Sequence, residues 1–242
     1  MNRAQKSLAL SLHNIYETLA ISWPTVVDAV RGRVTKKICD DRLAGWAERV
    51  VQNSRMDVEV KGREYLSHAD RAGAYLVMSN HQSLYDIPVL FYVLGSNLRM
   101  ITKKELFEVP IFGKAIELGG FISIDRSNRA RALESLEVAK GKVADGTHVW
   151  IAPEGTRSKT GELLPFKKGG FNLALEAQLT VLPVTLRGTR DVLLAKGLRS
   201  SPGARVDVTI HAPIDPAPYA REGRAGRDRL MADVRAALQS GL

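Results

Sequence analysis

The sequence contains few of the residues that build disulfides and metal sites. Among 242 residues there is one cysteine, Cys39, and there are five histidines. A single cysteine cannot form an internal disulfide, and no cysteines and histidines stand at the spacing of a zinc site. Such a chain suits a reducing, cytoplasmic setting. We therefore expect neither a bound metal nor a cofactor.

Aromatic and acidic residues are also scarce. Aromatics make up 6% of the chain, and 26 Asp and Glu stand against 35 Lys and Arg, which gives a net charge of +9. The partners of so basic a protein are expected to be anionic. The sequence has no recognition-helix, zinc-finger or stacking-sheet signature, so nucleic acid is not expected. A membrane surface or an acidic substrate fits the charge better.

Long hydrophobic runs are absent as well. No stretch reaches the ~18 apolar residues of a membrane-spanning helix. The N-terminus lacks a compact apolar segment followed by a cleavage site, so neither secretion nor a full span is expected. With 45% hydrophobic residues, the chain can bury a full core. Its length favours one sizeable α/β domain with a small appendage.

Residues 1–54 are predicted to form that appendage, a pair of amphipathic helices joined by a basic turn. On a helical wheel, large apolar residues of the first helix share one face: Leu8, Leu12, Ile15, Tyr16, Leu19 and Trp23. Small polar residues share the other face: Ser7, Ser11, Asn14, Thr18 and Ser22. In the second helix, Cys39, Leu43, Trp46 and Val50 recur at helical spacing. The pair resembles a hairpin lying in a lipid interface; the alternative is a helical pair packed on the main domain.

From residue 55 the hydrophobic period changes, and strands alternate with helices. Strands are predicted at 58–60, 74–78, 98–102, 119–126, 147–151, 181–186 and 206–210, and helices at 87–94, 107–117, 129–143, 169–176 and 226–238. This alternation predicts an α/β fold for residues 55–242, with a mixed, mainly parallel central sheet flanked by helices.

His81 and Asp86 stand where the second predicted strand gives way to a helix. Five positions along an ideal helix rotate the chain by about 500°, which would place the two side chains on different faces. A bend would bring them together. Pro88 must lie in the first turn of the helix, where a missing N–H costs nothing, so the helix should start between Leu84 and Asp86. The Asp86 carboxylate could then fix the imidazole tautomer, as in a catalytic dyad.

A plainer interpretation of the same stretch is a helix cap. Ser83 and Asp86 have the spacing of a capping box, which explains both residues without catalysis but leaves His81 unexplained. Ser83 is also the one competing nucleophile, because His81 stands close enough in sequence to activate it.

Two further strand ends carry charged groups. One ends in Asp125 and Arg126, and the other runs into residues 154–157 (Glu-Gly-Thr-Arg). In open α/β sheets ligands gather at the carboxyl ends of strands, so these groups could meet His81. The guanidinium fork of Arg157 suits a phosphate, although a polar turn with a surface salt bridge would show the same residues.

Four ordered segments resemble the motifs of the glycerolipid acyltransferase family. They are residues 80–86 (Asn-His-Gln-Ser-Leu-Tyr-Asp), 120–126 (Gly-Phe-Ile-Ser-Ile-Asp-Arg), 152–158 (Ala-Pro-Glu-Gly-Thr-Arg-Ser) and 182–184 (Leu-Pro-Val). Within the family, the chain is most similar to the bacterial enzymes that acylate 1-acyl-sn-glycerol 3-phosphate, or lysophosphatidate. Four motifs in order are far more specific than any one. The family's third motif commonly begins with Phe, where this chain has Ala152, a change that would reshape the pocket wall.

The resemblance implies a role for each motif. The catalytic pair would be His81 and Asp86. The residues implied to bind substrate are Arg126, Glu154, Gly155, Thr156 and Arg157, around the glycerol phosphate, and Pro183, near the acyl site. The tetrahedral oxyanion needs donors, for which the candidates are backbone amides at the helix start, Lys103 and Lys104.

The implied reaction moves a fatty acyl group from a thioester, acyl-CoA or acyl carrier protein, to the sn-2 hydroxyl of lysophosphatidate in phospholipid synthesis. His81 would act as general base. The implied location is the cytoplasmic face of the bacterial inner membrane, with monotopic or peripheral attachment to membrane lipids. Other acceptors remain open, namely lyso-ornithine lipid and glycerol 3-phosphate. A non-enzymatic alternative is an inactive binding module of the membrane surface.

Overall fold

The structure, a computed structural model, describes residues 6–66, 73–125 and 129–242, and residues 129–133 through their backbone alone. The helices of these ranges are α1 (Leu8–Val30), α2 (Lys36–Asn53), α3 (Asp86–Leu94), α4 (Phe112–Leu118), α5 (Arg129–Ala144), α6 (Gly169–Glu176), α7 (Thr189–Val192), α8 (Ala217–Ala220) and α9 (Gly223–Ser240). The strands are β1 (Asp57–Lys61), β2 (Leu76–Ser79), β3 (Leu98–Lys103), β4 (Ile122–Ile124), β5 (His148–Ile151), β6 (Val181–Arg187) and β7 (Arg205–Ile210). Short 3-10 turns lie at Arg63–Tyr65 and Lys104–Leu106.

The strands form one seven-stranded sheet in the order β1-β7-β6-β2-β5-β3-β4. Strands β6 and β7 run antiparallel, and the other neighbours run parallel. The predicted mixed, mainly parallel sheet is confirmed. Because β2 lies between β5 and β6, the loop that follows β2 is flanked by the loops that follow those two strands. The carboxyl ends of β2, β5 and β6 therefore meet at one edge.

Helices cover both faces of the sheet, as the continuous apolar character of the central strands requires. On one face, α2 and α3 pack over inward side chains such as Tyr75, Met100 and Trp150. On the other, α5, α6 and α9 pack over residues such as Leu76 and Ile101. The helix α2 is part of the first core, because its Leu43, Ala47, Val50 and Val51 are buried there.

The helix α1 lies with its polar side inward. It packs against α2 and α4, and its buried residues are Asn14, Glu17, Ser22 and Thr25. The predicted apolar face points outward: Leu8, Leu12, Ile15, Tyr16, Leu19 and Trp23 are all exposed. In the described ranges, no helix combines the length and the apolar character needed to cross a membrane.

Two predicted elements are shorter than their hydrophobic patterns indicated. The helix predicted at 107–117 begins at Phe112, because Ile111 adopts φ +65°, outside helical geometry, and Pro110 disfavours a helix before it. The strand predicted at 119–126 spans Ile122–Ile124. Gly120 precedes it with φ +78°, which breaks the extended run. Arg126 lies outside the described residues.

Candidate active site

The structure brings His81 and Asp86 together at the carboxyl end of β2. The His81 Nδ1 atom lies 2.6 Å from Asp86 Oδ2. Asp86 is the first residue of α3, as the position of Pro88 predicted. Its side chain is fully buried, while the His81 side chain is 16% exposed. The bend between strand and helix therefore places a buried carboxylate behind an imidazole that still reaches solvent.

The contacts of Asp86 define the tautomer of His81. The same Oδ2 atom accepts the backbone N–H groups of Gln82 at 2.6 Å and Ser83 at 2.9 Å. An oxygen with two N–H donors acts as an acceptor, so His81 Nδ1 must carry the hydrogen that points to it. The Nε2 atom of a neutral imidazole then has a free lone pair. That atom is the candidate base.

Ser83 differs from the predicted capping box. The residue before α3 is Tyr85, and Ser83 is not its cap. Instead, the Ser83 hydroxyl accepts the backbone N–H of Tyr85 at 3.2 Å and donates to the Leu193 carbonyl at 2.7 Å. Half of the box is present, because the Asp86 carboxylate does reach back to Ser83 N–H. A hydroxyl with both roles filled is poorly placed to be a nucleophile.

Strand β6 holds the loop from its other side. The Asn80 side chain donates to the Leu186 carbonyl and accepts the Leu186 N–H, both at 2.8 Å. The Gln82 side chain donates to the same carbonyl at 2.8 Å. Trp150 packs edge-on to the His81 ring, with centroids 5.5 Å apart. These side chains fix the loop before any substrate arrives.

Glu154 lies behind the loop and does not face solvent. It is 2% exposed, and its two oxygens accept the backbone N–H groups of His81 at 2.9 Å and Leu164 at 2.8 Å. Burial raises the pKa of this carboxyl, while the two amides oppose the rise. The sequence grouped Glu154 with the substrate-binding residues; the structure uses both of its oxygens inside the protein.

The three residues after Glu154 turn toward the surface. Gly155 has φ +71°, a conformation that glycine adopts without strain. Thr156 is exposed and Arg157 is half-buried. Among the residues that the structure describes, the Arg157 guanidinium has no hydrogen-bond or ion-pair partner. Ser158 then donates its backbone N–H to the His81 carbonyl at 2.7 Å, which ties this loop to the dyad.

The remaining predicted site residues lie in different settings. Lys104 Nζ pairs with Asp125 Oδ2 at 2.8 Å, across the ends of β3 and β4. Arg126 follows Asp125 and lies outside the described residues. Pro183 is buried within β6 and does not line the apolar cavity between α1 and the sheet. Its role near the acyl site stays a prediction.

An apolar cavity of about 410 Å³ lies beside the dyad, between α1 and the α2–α3 face of the sheet. Its wall includes Leu84, from the loop between His81 and Asp86, and Trp150, which contacts the His81 ring. Apolar side chains form most of its wall, including Ile21, Leu43, Trp46, Phe91, Ile116 and Phe121. The polar side of α1 closes it. There the hydroxyls of Thr18, Ser22 and Thr25 donate to carbonyls of α1 itself, so they leave no unsatisfied hydrogen inside.

Sequence reasoning missed the residues that hold the site from a distance. Leu186 and Leu193 act through their backbone groups, which carry no side-chain signal. Trp150 had a weak signal, as one of three tryptophans at the end of a predicted strand, but its position beside His81 depends on β5 pairing with β2.

Comparison with known proteins identifies the family of the chain. The family model described as Acyltransferase matches residues 57–187. Among curated relatives, the 1-acyl-sn-glycerol-3-phosphate acyltransferase alpha of Mus musculus is 34% identical over 189 residues, 78% of this chain and 65% of its own. The 1-acyl-sn-glycerol-3-phosphate acyltransferase of Cocos nucifera is 41% identical over 140 residues, 57% of this chain and 45% of its own. The chain thus spans about half to two thirds of the length of these relatives.

A solved structure matches the whole architecture. The 1-acyl-sn-glycerophosphate (LPA) acyltransferase from Thermotoga maritima superposes with a TM-score of 0.78 at 26% identity, over 97% of this chain and 95% of the other. The match includes the N-terminal helical pair as well as the sheet. The family model covers the segment that carries the His81–Asp86 dyad and Glu154 to Arg157. On these grounds, the chain belongs to the acyltransferase family.

Proposed function

We propose that this protein transfers a fatty acyl group from a thioester to the sn-2 hydroxyl of lysophosphatidate and so makes phosphatidate. The observation that carries the proposal is the His81–Asp86 pair, held at 2.6 Å beside an apolar cavity. The pair supplies a base, and the cavity suits a hydrocarbon chain. An inactive binding module of the membrane surface would need neither the buried carboxylate nor its three N–H donors.

In the proposed reaction, His81 Nε2 removes the proton of the sn-2 hydroxyl as its oxygen attacks the thioester carbonyl. Asp86 keeps the hydrogen of the imidazole on Nδ1 and stabilises the imidazolium that forms. The C–S bond then breaks, and the proton passes from His81 to the departing thiolate. The thioester is already activated, so no acyl-enzyme is needed. Base catalysis of this kind contributes about 10²–10⁴-fold.

The acceptor phosphate is assigned to Arg157 and, from its motif alone, to Arg126. A guanidinium binds two phosphate oxygens at once through its fork. Gly155 lets the loop turn sharply toward the surface, and the exposed Thr156 hydroxyl is available to the glycerol phosphate. Lys104 borders the same sheet edge, with Asp125 beside it, and is a candidate for stabilising the oxyanion.

The acyl chain is assigned to the cavity beneath α1. Its walls are apolar, so a hydrocarbon chain gains by leaving water there. Trp150 both lines the cavity and contacts the His81 ring, so an acyl chain inside the cavity would bring its thioester carbonyl toward the base. The donor is acyl-CoA or acyl carrier protein, and the reaction as written uses no metal and no cofactor.

We further propose that α1 lies in the surface of the cytoplasmic leaflet of the bacterial inner membrane, as a monotopic or peripheral attachment. Its large apolar residues are exposed on one face, and contiguous exposed apolar patches mark a partner. Lysophosphatidate is itself held in that leaflet by its acyl chain. An interfacial helix about 5–10 Å deep would bring the active-site edge to the emerging hydroxyl.

The test uses the full chain in detergent micelles, with labelled lysophosphatidate, lyso-ornithine lipid and glycerol 3-phosphate as acceptors, each with acyl-CoA and with acyl carrier protein. Turnover of lysophosphatidate that is lost in His81→Ala would support the proposal. A preference for either other acceptor would move the assignment to that lipid. No transfer to any acceptor would favour the binding module.

A further inference from the structure

A second, basic recess lies next to the start of α1, and it shares Gly197 and Leu198 with the wall of the apolar cavity. It has a volume of about 330 Å³, and its lining includes Lys6, Arg190 and Arg199, against one acid, Asp191. The Arg190 guanidinium donates to the backbone carbonyls of Thr160 and Lys159, which are neutral partners and leave its charge uncompensated. The recess is therefore suited to an anion.

The cations of this recess are open to an incoming ligand. Lys6 and Arg199 are exposed. Neither is paired with a carboxylate anywhere in the described ranges. The surrounding segment adds Lys196, which is also exposed. A phosphate there would find several positive charges and little competition from the protein itself.

The recess is fastened to α1 by a dense set of hydrogen bonds. Ser7 and Ser200 exchange both backbone N–H···O=C bonds, at 2.7 and 3.1 Å. The Ser200 hydroxyl lies 2.8 Å from the Ser11 hydroxyl, and Ser200 N–H donates to Ser11 Oγ at 2.9 Å. Ser200 itself is fully buried. The segment of residues 193–200 thus has a fixed position relative to the exposed apolar face of α1.

Two exposed leucines stand at the rim of the recess. Leu198 is 78% exposed and Leu194 is 44% exposed, and both line the recess. Leu8 and Leu12, on the first turns of α1, are exposed as well. This surface thus combines apolar side chains, which suit the hydrocarbon of an anionic leaflet, with unpaired cations, which suit its phosphates.

We propose that this recess binds the phosphate headgroup of an anionic membrane lipid, with Leu194 and Leu198 in the acyl region beside it. The proposal rests on the proposed attachment of α1 to the membrane and extends that surface to residues 190–199, far along the chain. The bound lipid is a bystander and not a substrate. A protein attached by α1 alone could rotate about the axis of that helix. A lipid bound in the recess would give a second point of attachment and fix the rotation.

The charge test compares two double variants of the full chain with the same net charge. Lys6→Ser with Arg199→Ser alters the recess. Arg221→Ser with Arg224→Ser removes two exposed arginines, one just before α9 and one in its first turn, on the opposite face of the sheet. Flotation is measured with phosphatidylcholine vesicles and with vesicles that also contain phosphatidylglycerol. We expect the recess variant to bind the anionic vesicles about tenfold more weakly and to bind neutral ones normally. The control should match the parent on both.

The apolar test uses Leu198→Ser, with Val138→Ser as its control. Val138 is 52% exposed on α5, which covers the far face of the sheet. Because an apolar contact does not depend on lipid charge or salt, Leu198→Ser should weaken binding to both vesicle types by the same factor. Val138→Ser should change neither. Thermal unfolding midpoints equal to the parent's would exclude misfolding as the cause.

Three results would overturn the proposal. Equal losses in the recess variant and the arginine control would show a response to net charge alone. Normal vesicle binding with a raised KM for acyl-CoA would assign the recess to the phosphates of the donor. Normal binding by Leu198→Ser would remove the apolar rim. Vesicle binding is measured without turnover, so failure of the proposed acyl transfer in detergent would be seen separately.

Discussion

One oxygen of the Asp86 carboxylate, Oδ2, accepts three N–H groups, from His81, Gln82 and Ser83. The dyad is therefore sensitive to small changes at this residue. In Asp86→Asn, the amide can offer its NH2 to groups that are themselves donors, or hold the imidazole in the wrong tautomer. We expect kcat to fall on the order of 10³–10⁴-fold, near the loss in His81→Ala. Steady-state assays in detergent micelles check this. A nearly active Asn variant would show that Asp86 serves only to accept the backbone N–H groups of Gln82 and Ser83.

Because both oxygens of Glu154 accept backbone amides, we expect this residue to act on the reaction through the position of His81. In Glu154→Gln one amide oxygen remains and an NH2 group faces a backbone N–H, so one bond is lost at a buried site, at a cost of about 1–3 kcal/mol. We expect kcat to fall about 10–100-fold while KM for lysophosphatidate changes little. A raised KM with normal kcat would instead place Glu154 on the substrate.

Arg157 gives the opposite pattern. Arg157→Lys keeps the charge but loses the fork that holds two phosphate oxygens. We expect KM for lysophosphatidate to rise about tenfold, with KM for the acyl donor unchanged. Glu154→Gln is the matched comparison, because it alters the same loop from the inside. An unchanged acceptor KM in Arg157→Lys would remove this residue from the phosphate site.

The helix α1 is unusual among the secondary-structure elements because its apolar face is exposed and its polar face is buried. Removing residues 1–54 would be a poor test of its role, because α2 places Leu43, Ala47 and Val50 in the core. Substitution of exposed residues is cleaner. Leu12→Ser with Trp23→Ser should reduce flotation with vesicles at all salt concentrations and leave the unfolding midpoint almost unchanged. High salt should weaken the parent only partly, since its apolar contacts are not screened. A large drop in the midpoint would show that this face packs on protein.

Patterns within single elements were sufficient to predict most of the sheet, the helix after His81 and the position of Asp86 at its start. What could not be predicted depends on contacts between elements. The pattern of α1 gave two faces but not which one points inward, because the cavity beneath it is built from α2, α3 and α4. The helix α4 starts late because Ile111, directly after Pro110, adopts φ +65°, which the apolar spacing of residues 107–117 alone does not show. Glu154 was predicted to bind substrate because only the fold shows that its carboxylate accepts the backbone N–H of His81.

At the scale of the whole molecule, two half-buried histidines link stability to pH. Burial lowers the pKa of His148 and of His211 below 6.5. His148 Nδ1 accepts Tyr75 N–H at 3.0 Å, and His211 Nε2 lies 2.8 Å from the Thr185 hydroxyl. Each imidazole therefore takes up its proton at a lower pH in the folded protein than in the unfolded chain, whose histidines titrate near 6.5. Stability present above that value is therefore lost between 6.5 and the lowered pKa values.

Thermal unfolding between pH 7 and pH 5 measures this loss. We expect the unfolding midpoint to fall with pH. The free energy of unfolding should decrease by up to about 1.4 kcal/mol per pH unit for each histidine. His211→Gln keeps a donor for Thr185 but cannot titrate, so its slope should be shallower than the parent's. Equal slopes in the two proteins would show that His211 does not contribute.

The loop that carries His81 also sets when the protein can become competent during synthesis. Its anchors lie far downstream: Glu154 is 73 residues after His81, Leu186 is 106 residues after Asn80, and Leu193 is 110 residues after Ser83. Contacts so distant in sequence form late. The ribosome will have released α1 and α2 long before these partners emerge. If α1 attaches to the membrane as proposed, a nascent chain reaches the membrane through this helix before the partners of its His81 loop exist. The proposed base is held in place only after Leu193, about four fifths of the way along the chain, has been made.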